Sequence, residues 1–380
     1  MKKKAYKIVT VVLFAVILIT LPVLTFIFNP SDPRPFSENE NRYLSVFPTL
    51  TWDSFRSEKF MNGFEDWFAD RFFGREQWIK LRNSTERLAG KIDINGVYTA
   101  NDRMMEIWKG YDSDFIMKNL NALNKFSEKY PDVSMYFLLA PTSQEVYSDL
   151  FPASAPIGSQ TELLEFCREN LTSMQTINVI PTIKMHSSDY IYYRTDHHWT
   201  SYGAYLAYYD TAKAMGFKPS DLNEFDIEHA SYSFRGTLYS KTLDDSITPD
   251  VIDYYHPHSV KDVSLTVKNG TEVKKYDSLY FREYLDVKDK YSSFLGPNVP
   301  YEEIVTGVDG PSLLVFKDSY AHSMIPFLTA HFSRITVLDM RYIKVGINNL
   351  VKVNNYDSVL VLYNAITFSQ DMDIRRLNME

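Results

Sequence analysis

The chain of 380 residues has a single cysteine, so no intrachain disulfide braces it in any compartment. Cys167 shares helical spacing with Leu163, Leu164 and Leu171, behind a capping box of Ser159 and Glu162. It reads as a buried structural thiol and is assigned no chemistry. Excess positive charge is also missing. Lys and Arg number 40 against 48 Asp and Glu, a net charge of −8, and no basic cluster follows the first few residues. That excludes a nucleic-acid partner. No internal repeat is visible, and no Cys lies near the end of the N-terminal apolar run, which argues against a lipoprotein.

What the chain does have is apolar material: 45% hydrophobic and 15% aromatic residues suffice for one large core or two modest ones. Lys2, Lys3, Lys4 and Lys7 precede residues 8–28, an uncharged run long enough to cross a hydrocarbon core as a helix. Its exit, Phe26-Ile27-Phe28-Asn29-Pro30, lacks the small-x-small pattern of a cleaved signal, so an uncleaved anchor is expected. The basic residues place its N-terminus in the cytoplasm and the rest outside the cell membrane. The expected organisation is a cytoplasmic tail (1–7), a transmembrane anchor (8–28), a proline-rich tether (29–51), an amphipathic helical segment (52–90) and a catalytic domain (91–380). In the amphipathic segment Phe60, Phe64, Trp67 and Phe68 recur at three- and four-residue steps, which predicts a helix packed against the main domain.

Beyond residue 90 the pattern predicts a hairpin around Asn95-Gly96 and Asn101-Asp102, a helix over 114–130 and a buried strand over 134–140. A helix behind Ser159, a strand over 176–180, a strand over 190–194 and a helix over 201–215 capped by Thr200 follow. Residues 220–310, with short alternating runs, read as a β-rich insertion. Alternation then resumes: strand 313–316, helix to Phe332, strand 335–338, a short helix over 345–351 and strand 358–363. Strands alternating with helices predict an α/β fold with a mostly parallel sheet.

In such sheets functional groups gather in loops beyond the C-terminal strand ends. Three loops qualify: Asp196-His197-His198, Lys317-Asp318-Ser319-Tyr320, and Pro141 to Gln144. An Asp beside a His orients the ring and stabilises its charged form, as a general base requires. A Ser at a strand-to-helix turn stands near backbone N–H groups that hold a developing oxyanion. The plainer alternatives are Ser319 as N-cap of the following helix and the two histidines as a packed-and-solvated loop pair. A metal site from Asp196, His197, His198 and His186 is disfavoured, because no H-x-x-x-H or Cys spacing supports it.

Thr195-Asp196-His197-His198-Trp199-Thr200 with Gly203-Ala204, and Val315-Phe316-Lys317-Asp318-Ser319-Tyr320 with Pro326-Phe327-Leu328, resemble the two catalytic blocks of the DHHW proteins. These are relatives of the SGNH-like alginate O-acetyltransferases, whose blocks read D-x-H-W and G-D-S. Leu139-Ala140-Pro141, Lys288 to Tyr291 with Phe294 to Gly296, and Asp339 to Tyr342 extend the resemblance. It implies an SGNH-like, flavodoxin-like three-layer α/β fold in permuted order, with His before Ser in the chain. It further implies Ser319 as nucleophile, His198 as base and Asp196 as its orienting partner, with His197 on a variable position. Lys317 stands where the relatives carry Gly, so its side chain is expected to alter the oxyanion pocket. Asn298 and Asn364 are candidate oxyanion or substrate donors, and Arg341 a candidate anion ligand. No cofactor and no metal are expected. The implied activity is transfer of an acetyl group through an acyl-serine onto a polysaccharide, supplied by a membrane-embedded MBOAT-type partner. The alternatives are a carbohydrate esterase with the same triad and a non-catalytic polysaccharide-binding or assembly subunit.

Overall fold

The computed structural model describes residues 2–28 and 35–379, and within these the chain forms two compact units. Residues 29–34 of the expected tether, with Pro30 and Pro33, lie outside the described residues. The first unit holds residues up to Asn95 and the short stretch Tyr239–Asp245. It begins with α1 (Lys2–Ile27), whose Tyr6–Ile27 portion is long and apolar enough to cross a membrane. A two-stranded pair, β1 (Phe36–Ser37) and β2 (Arg42–Tyr43), lies within the stretch expected as tether. The predicted amphipathic segment is broken into α2 (Trp52–Arg56), α3 (Lys59–Arg71) and α4 (Arg75–Leu88). The breaks fall at Glu58 and Gly74, both at positive φ, which a continuous helix does not allow. Within this unit the aromatic face of α3 has local partners: Phe64 and Trp67 meet Phe47, and Trp67 and Phe68 meet Phe26 at the end of α1.

The second unit opens on a hairpin of β3 (Val97–Ala100) and β4 (Arg103–Glu106). Asn101 and Asp102 both take positive φ in its two-residue turn, as such turns demand. Then come α5 (Ser113–Lys129), β5 (Ser134–Ala140), α6 (Ser143–Val146), α7 (Gln160–Asn170), β6 (Gln175–Ile177), α8 (Ile180–Met185) and α9 (Ser201–Ala214). β7 (Phe225–Phe234), α10 (Thr237–Thr242), β8 (Asp250–Pro257), β9 (Val263–Asn269), β10 (Glu272–Tyr276) and β11 (Tyr301–Thr306) fill the predicted β-rich region. The chain finishes with β12 (Ser312–Lys317), α11 (Ala321–Leu328), β13 (Arg334–Leu338), β14 (Ser358–Asn364) and α12 (Ala365–Phe368).

Eight strands form one sheet in the order β10-β9-β11-β13-β12-β14-β5-β6. The five from β13 to β6 run parallel, and β11, β9 and β10 add antiparallel strands at one edge. The β-rich region is therefore only half an insertion: β7 and β8 pair apart, whereas β9 to β11 widen the main sheet. Alternation along the central strands sends Leu313, Val315, Leu360 and Leu362 into one core and Leu314, Phe316, Val359 and Val361 into another. Burial on both faces explains why these strands read as continuous apolar runs. Two predicted elements are shorter than expected. α11 stops at Leu328, where the Thr329 hydroxyl donates to the Pro326 carbonyl, and residues 345–351 hold only a 3-10 turn, Ile347–Asn349.

Residues 190–194 are not a strand. Thr200 N–H bonds Ile191 O and Tyr193 N–H bonds His198 O, so the segment folds back on itself as a tight loop leading into α9. Gly203, in the first turn of α9, is required by that loop: a Cβ there would lie 2.2 Å from Ile191 O. Ala is the better helix former by about 1 kcal/mol, but overpacking against backbone costs about 1–3 kcal/mol or more. Gly203→Ala therefore destabilises the protein, by up to about 2 kcal/mol net, and chemical denaturation followed by circular dichroism reads the loss.

Candidate active site

The tight loop and the turn after β12 meet. Ser319 Oγ lies 2.7 Å from His198 Nε2, and His198 Nδ1 lies 2.6 Å from Asp196 Oδ1. A carboxylate only accepts, so the Nδ1 proton sits on the Asp196 side and Nε2 is left as acceptor for the Ser319 hydroxyl proton. The three residues that the two motifs singled out thus form one hydrogen-bonded series, although 121 positions separate His198 from Ser319.

Asp196 is 2% exposed and carries a charge that burial alone would penalise. Four donors answer it. His198 Nδ1–H and backbone N–H reach Oδ1, and Thr237 N–H (2.7 Å) and Oγ–H (3.0 Å) reach Oδ2. Burial raises its pKa, but the neighbouring His197 and His198 and these hydrogen bonds outweigh it and hold the carboxyl well below its usual range. Gly236 makes the approach of Thr237 possible, since a Cβ there would stand 2.2 Å from Asp196 Oδ2. Burial, then the charge of His197, pushes the His198 imidazole down to about 4. At neutral pH it is an unprotonated base.

The His198 ring is held flat as well as held by its nitrogens. Tyr291 stacks on it with ring centres 3.7 Å apart and planes 7° from parallel, while the Tyr291 hydroxyl donates to Ser319 O. His197 packs beside the ring at 3.9 Å and is fixed through Nδ1 to Thr237 Oγ. Trp199 ties the two blocks together by donating from Nε1 to Tyr320 O.

The Ser319 hydroxyl does not cap α11. Tyr320 occupies the N-cap position, and the Asp318 carboxylate takes the Tyr320 N–H. Ser319 is only partly buried, and its backbone N–H has no partner among the described residues. A donor so placed beside the hydroxyl suits an oxyanion.

Lys317 lies in extended strand, a conformation open to any residue, so Gly is not needed there. Its fully buried side chain leads into a polar cluster that includes Asn298. Nζ reaches His322 Nε2 at 2.5 Å, Asn298 Oδ1 at 2.8 Å and Asp339 Oδ2 at 3.4 Å. Burial and then Lys317 push the His322 imidazole well down, which keeps Nε2 an acceptor. Because ammonium only donates, the Asn298 atom facing Lys317 is its oxygen, and the Asn298 amide N–H groups remain as donors.

The other candidates divide. Asn364 caps α12 through Oδ1, and its amide donates to Asp318 Oδ2 (2.6 Å) and Thr367 Oγ (2.7 Å), so both amide protons serve the fold. Arg341 grips Asp339 with Nε and Nη2 at 2.9 and 2.6 Å and approaches Asn298 Oδ1 at 3.5 Å. The Pro141 loop packs the interior: Thr142 N–H and Gln144 Oε1 bond Gln160 and Trp108. Metal-capable atoms of Asp196, His197 and His198 lie within 4.8 Å of one another, but both oxygens of Asp196 and both ring nitrogens of His198 have protein partners. His186 instead pairs with Asp189.

Sequence reasoning gave no role to Asp250. Its fully buried carboxylate accepts from Tyr190 OH, Arg194 N–H, Thr195 N–H and Thr195 Oγ–H, and so sets the loop that carries Asp196 and His198. No local signal marks it. It stands 55 positions beyond Thr195 at the start of a strand.

Residues 159–338 match the profile of the family described as DHHW protein. Among solved structures, the chain is similar to a DHHW family protein from Eubacterium siraeum, with 24% identity and a TM-score of 0.66 over 76% of this chain and 97% of that one. It is also similar to PatB1 of Bacillus cereus, at 23% identity and a TM-score of 0.62 over 73% of this chain and 98% of that one. PatB1 has also been solved with a sulfonyl adduct, a structure 20% identical with a TM-score of 0.62 over 73% of this chain and 96% of that one. These likenesses establish a shared fold. No curated protein matches the chain.

Asp250→Ala strands four donors and releases the loop. The expected loss is about 3 kcal/mol of stability, read by denaturation, with larger hydrogen-exchange rates at Arg194 and Thr195.

Proposed function

We propose that this protein is an O-acetyltransferase that carries an acetyl group on Ser319 and delivers it to a hydroxyl of a polysaccharide outside the cell membrane. The observation that carries this reading is the unbroken hydrogen-bonded series Asp196–His198–Ser319, with a backbone N–H beside the nucleophile that has no partner among the described residues. The resemblance of both motif blocks to the acetyltransferase relatives supplies the acyl group and the acceptor class.

In the first half-reaction His198 Nε2 takes the Ser319 proton as Oγ attacks the acetyl carbonyl of an ester donor. The Ser319 N–H stabilises the oxyanion, and Asp196 stabilises the imidazolium. Collapse breaks the donor ester bond, the imidazolium returns its proton to the leaving alcohol, and acetyl-serine remains. In the second half the sugar hydroxyl gives its proton to Nε2 and attacks the acetyl carbonyl, the bond from Ser319 Oγ to the acetyl carbon breaks, and the imidazolium returns its proton to Oγ. Tyr291 keeps the ring in one plane through both transfers. Helix α1 serves as the single-pass anchor, its N-terminus cytoplasmic, and holds the site beside a membrane-embedded MBOAT-type donor. When water replaces the sugar, the same steps make an esterase.

Ser319→Ala and His198→Ala each reduce acetyl transfer from a chromogenic acetyl ester to an oligosaccharide by roughly 10⁴-fold. Unchanged transfer by either variant contradicts the proposal, and acetyl found only in acetate would make the protein a hydrolase. A sulfonyl fluoride should label Ser319 in the native chain. Because the base must be unprotonated, kcat/KM should fall as pH drops toward about 4, and not near the ordinary 6.5. A stopped assay across that range places the acid limb.

A further inference from the structure

The Ser319 turn is one point on a longer edge. β12, β13, β11 and β9 are neighbours in the sheet, and their pairing aligns Phe316 with Leu338, Leu338 with Tyr301, and Tyr301 with Lys268. The carboxyl end of the Ser319 strand therefore continues sideways to Lys268, three strand spacings or about 14 Å away. A cleft of about 720 Å³ lies along this edge, bounded by the β9–β10 turn and by the segment that follows β13.

Its walls combine two kinds of group. Tyr301, Tyr342 and Val345 supply carbon surface, and Tyr342 is 48% exposed, an aromatic face open to a ligand. Lys268, Arg341 and Lys344 supply cations, and no acidic residue lines the cleft. In a chain with 48 acids and 40 bases this is a local reversal of charge. The Lys268 ammonium lies 4.1 Å from the centre of the Tyr301 ring, and neither it nor Lys344 forms an ion pair among the described residues. Of the acids on the adjoining strands, Asp339 is engaged by Arg341, Glu303 by the Tyr301 hydroxyl and Glu272 by Lys274, and Glu302 is fully buried.

We propose that this cleft is the acceptor subsite and that it holds a stretch of acidic glycan, its anionic groups on Lys268 and Lys344 and a sugar face on Tyr342. This rests on the reading of Ser319 as the acyl-carrying residue. Arg341 joins the two regions: it lines the cleft and reaches Asn298, which is held by Lys317, two residues before Ser319. A chain seated on Tyr342 and Lys268 thereby runs toward the nucleophile along the sheet edge. Aromatic surface contributes area and orientation, whereas the cations distinguish charged from neutral chains.

The test measures binding without turnover, using the full-length chain in detergent with Ser319→Ala. Three probes are compared by titration: an oligogalacturonate, a poly(glycerol phosphate) of similar length and a neutral cello-oligosaccharide. One anionic probe should bind about tenfold or more tightly than the neutral one, and weaken with salt. Which one does so identifies carboxylate or phosphate as the charged group. Lys268→Glu with Lys344→Glu should abolish that preference without changing the thermal melt, and Tyr342→Ala should weaken all glycans alike. Equal binding of charged and neutral probes, an unaltered preference in the double variant, or stronger binding to anionic lipid vesicles than to either polymer would overturn the subsite. Because Ser319 is already replaced, failure here leaves the acyl-serine reading standing, and failure of that reading leaves these affinities interpretable.

Discussion

A carboxylate buried almost completely must be matched by donors, and the neighbourhood of Asp196 is arranged by that requirement. Two donors come from His198, two positions on, and two from Thr237, forty-one positions away. Each has a structural consequence. The His198 contacts fix the tautomer and aim Nε2 outward, and the Thr237 contacts demand that residue 236 have no side chain. Asp250 repeats the pattern one layer out, where a second buried carboxylate gathers the donors of Tyr190, Arg194 and Thr195 and holds the loop in place. Two buried carboxylates in contact with backbone N–H groups make the loop rigid without any regular secondary structure.

The sheet supplies the other half. β12 is buried along its whole length, so its end is positioned by the core on both faces, and the turn after it lifts Ser319 to the partly exposed side. The polar group that interrupts the apolar run, Lys317, is satisfied by His322, Asn298 and Asp339 beneath the turn. A cation there does not obstruct the hydroxyl. It joins the Ser319 strand to Asn298 and, through Asp339, to Arg341 at the neighbouring strand end.

Legibility in the sequence followed the range of the forces involved. Strands β5, β12 and β14 were visible because burial on both faces leaves an apolar run, α5 because Ile116, Leu120, Leu123 and Phe126 line one buried face, and α9 because Thr200 caps it with a local hydrogen bond. Asp196, His198 and Ser319 were visible because the chemistry is crowded into two short motifs. The segment 190–194 misled because its alternating tyrosines mimic a strand, while the groups that bend it, Asp250 above all, arrive from distant residues. Tyr291 was part of a recognised stretch, but nothing in its surroundings marks a ring that stacks on a histidine. The amphipathic face of α3 was legible, whereas its partners, Phe26 and Phe47, depend on tertiary structure.

The account stands on Ser319 carrying the acyl group while His198 moves the proton. The most direct measurement is rapid acid quenching of the protein during turnover of an acetyl ester, followed by peptide mapping by mass spectrometry. One acetyl group on the peptide containing Ser319, absent from the His198→Ala protein, is the predicted result. Continued turnover with no acetyl on that peptide, or with acetyl on another residue, would contradict it.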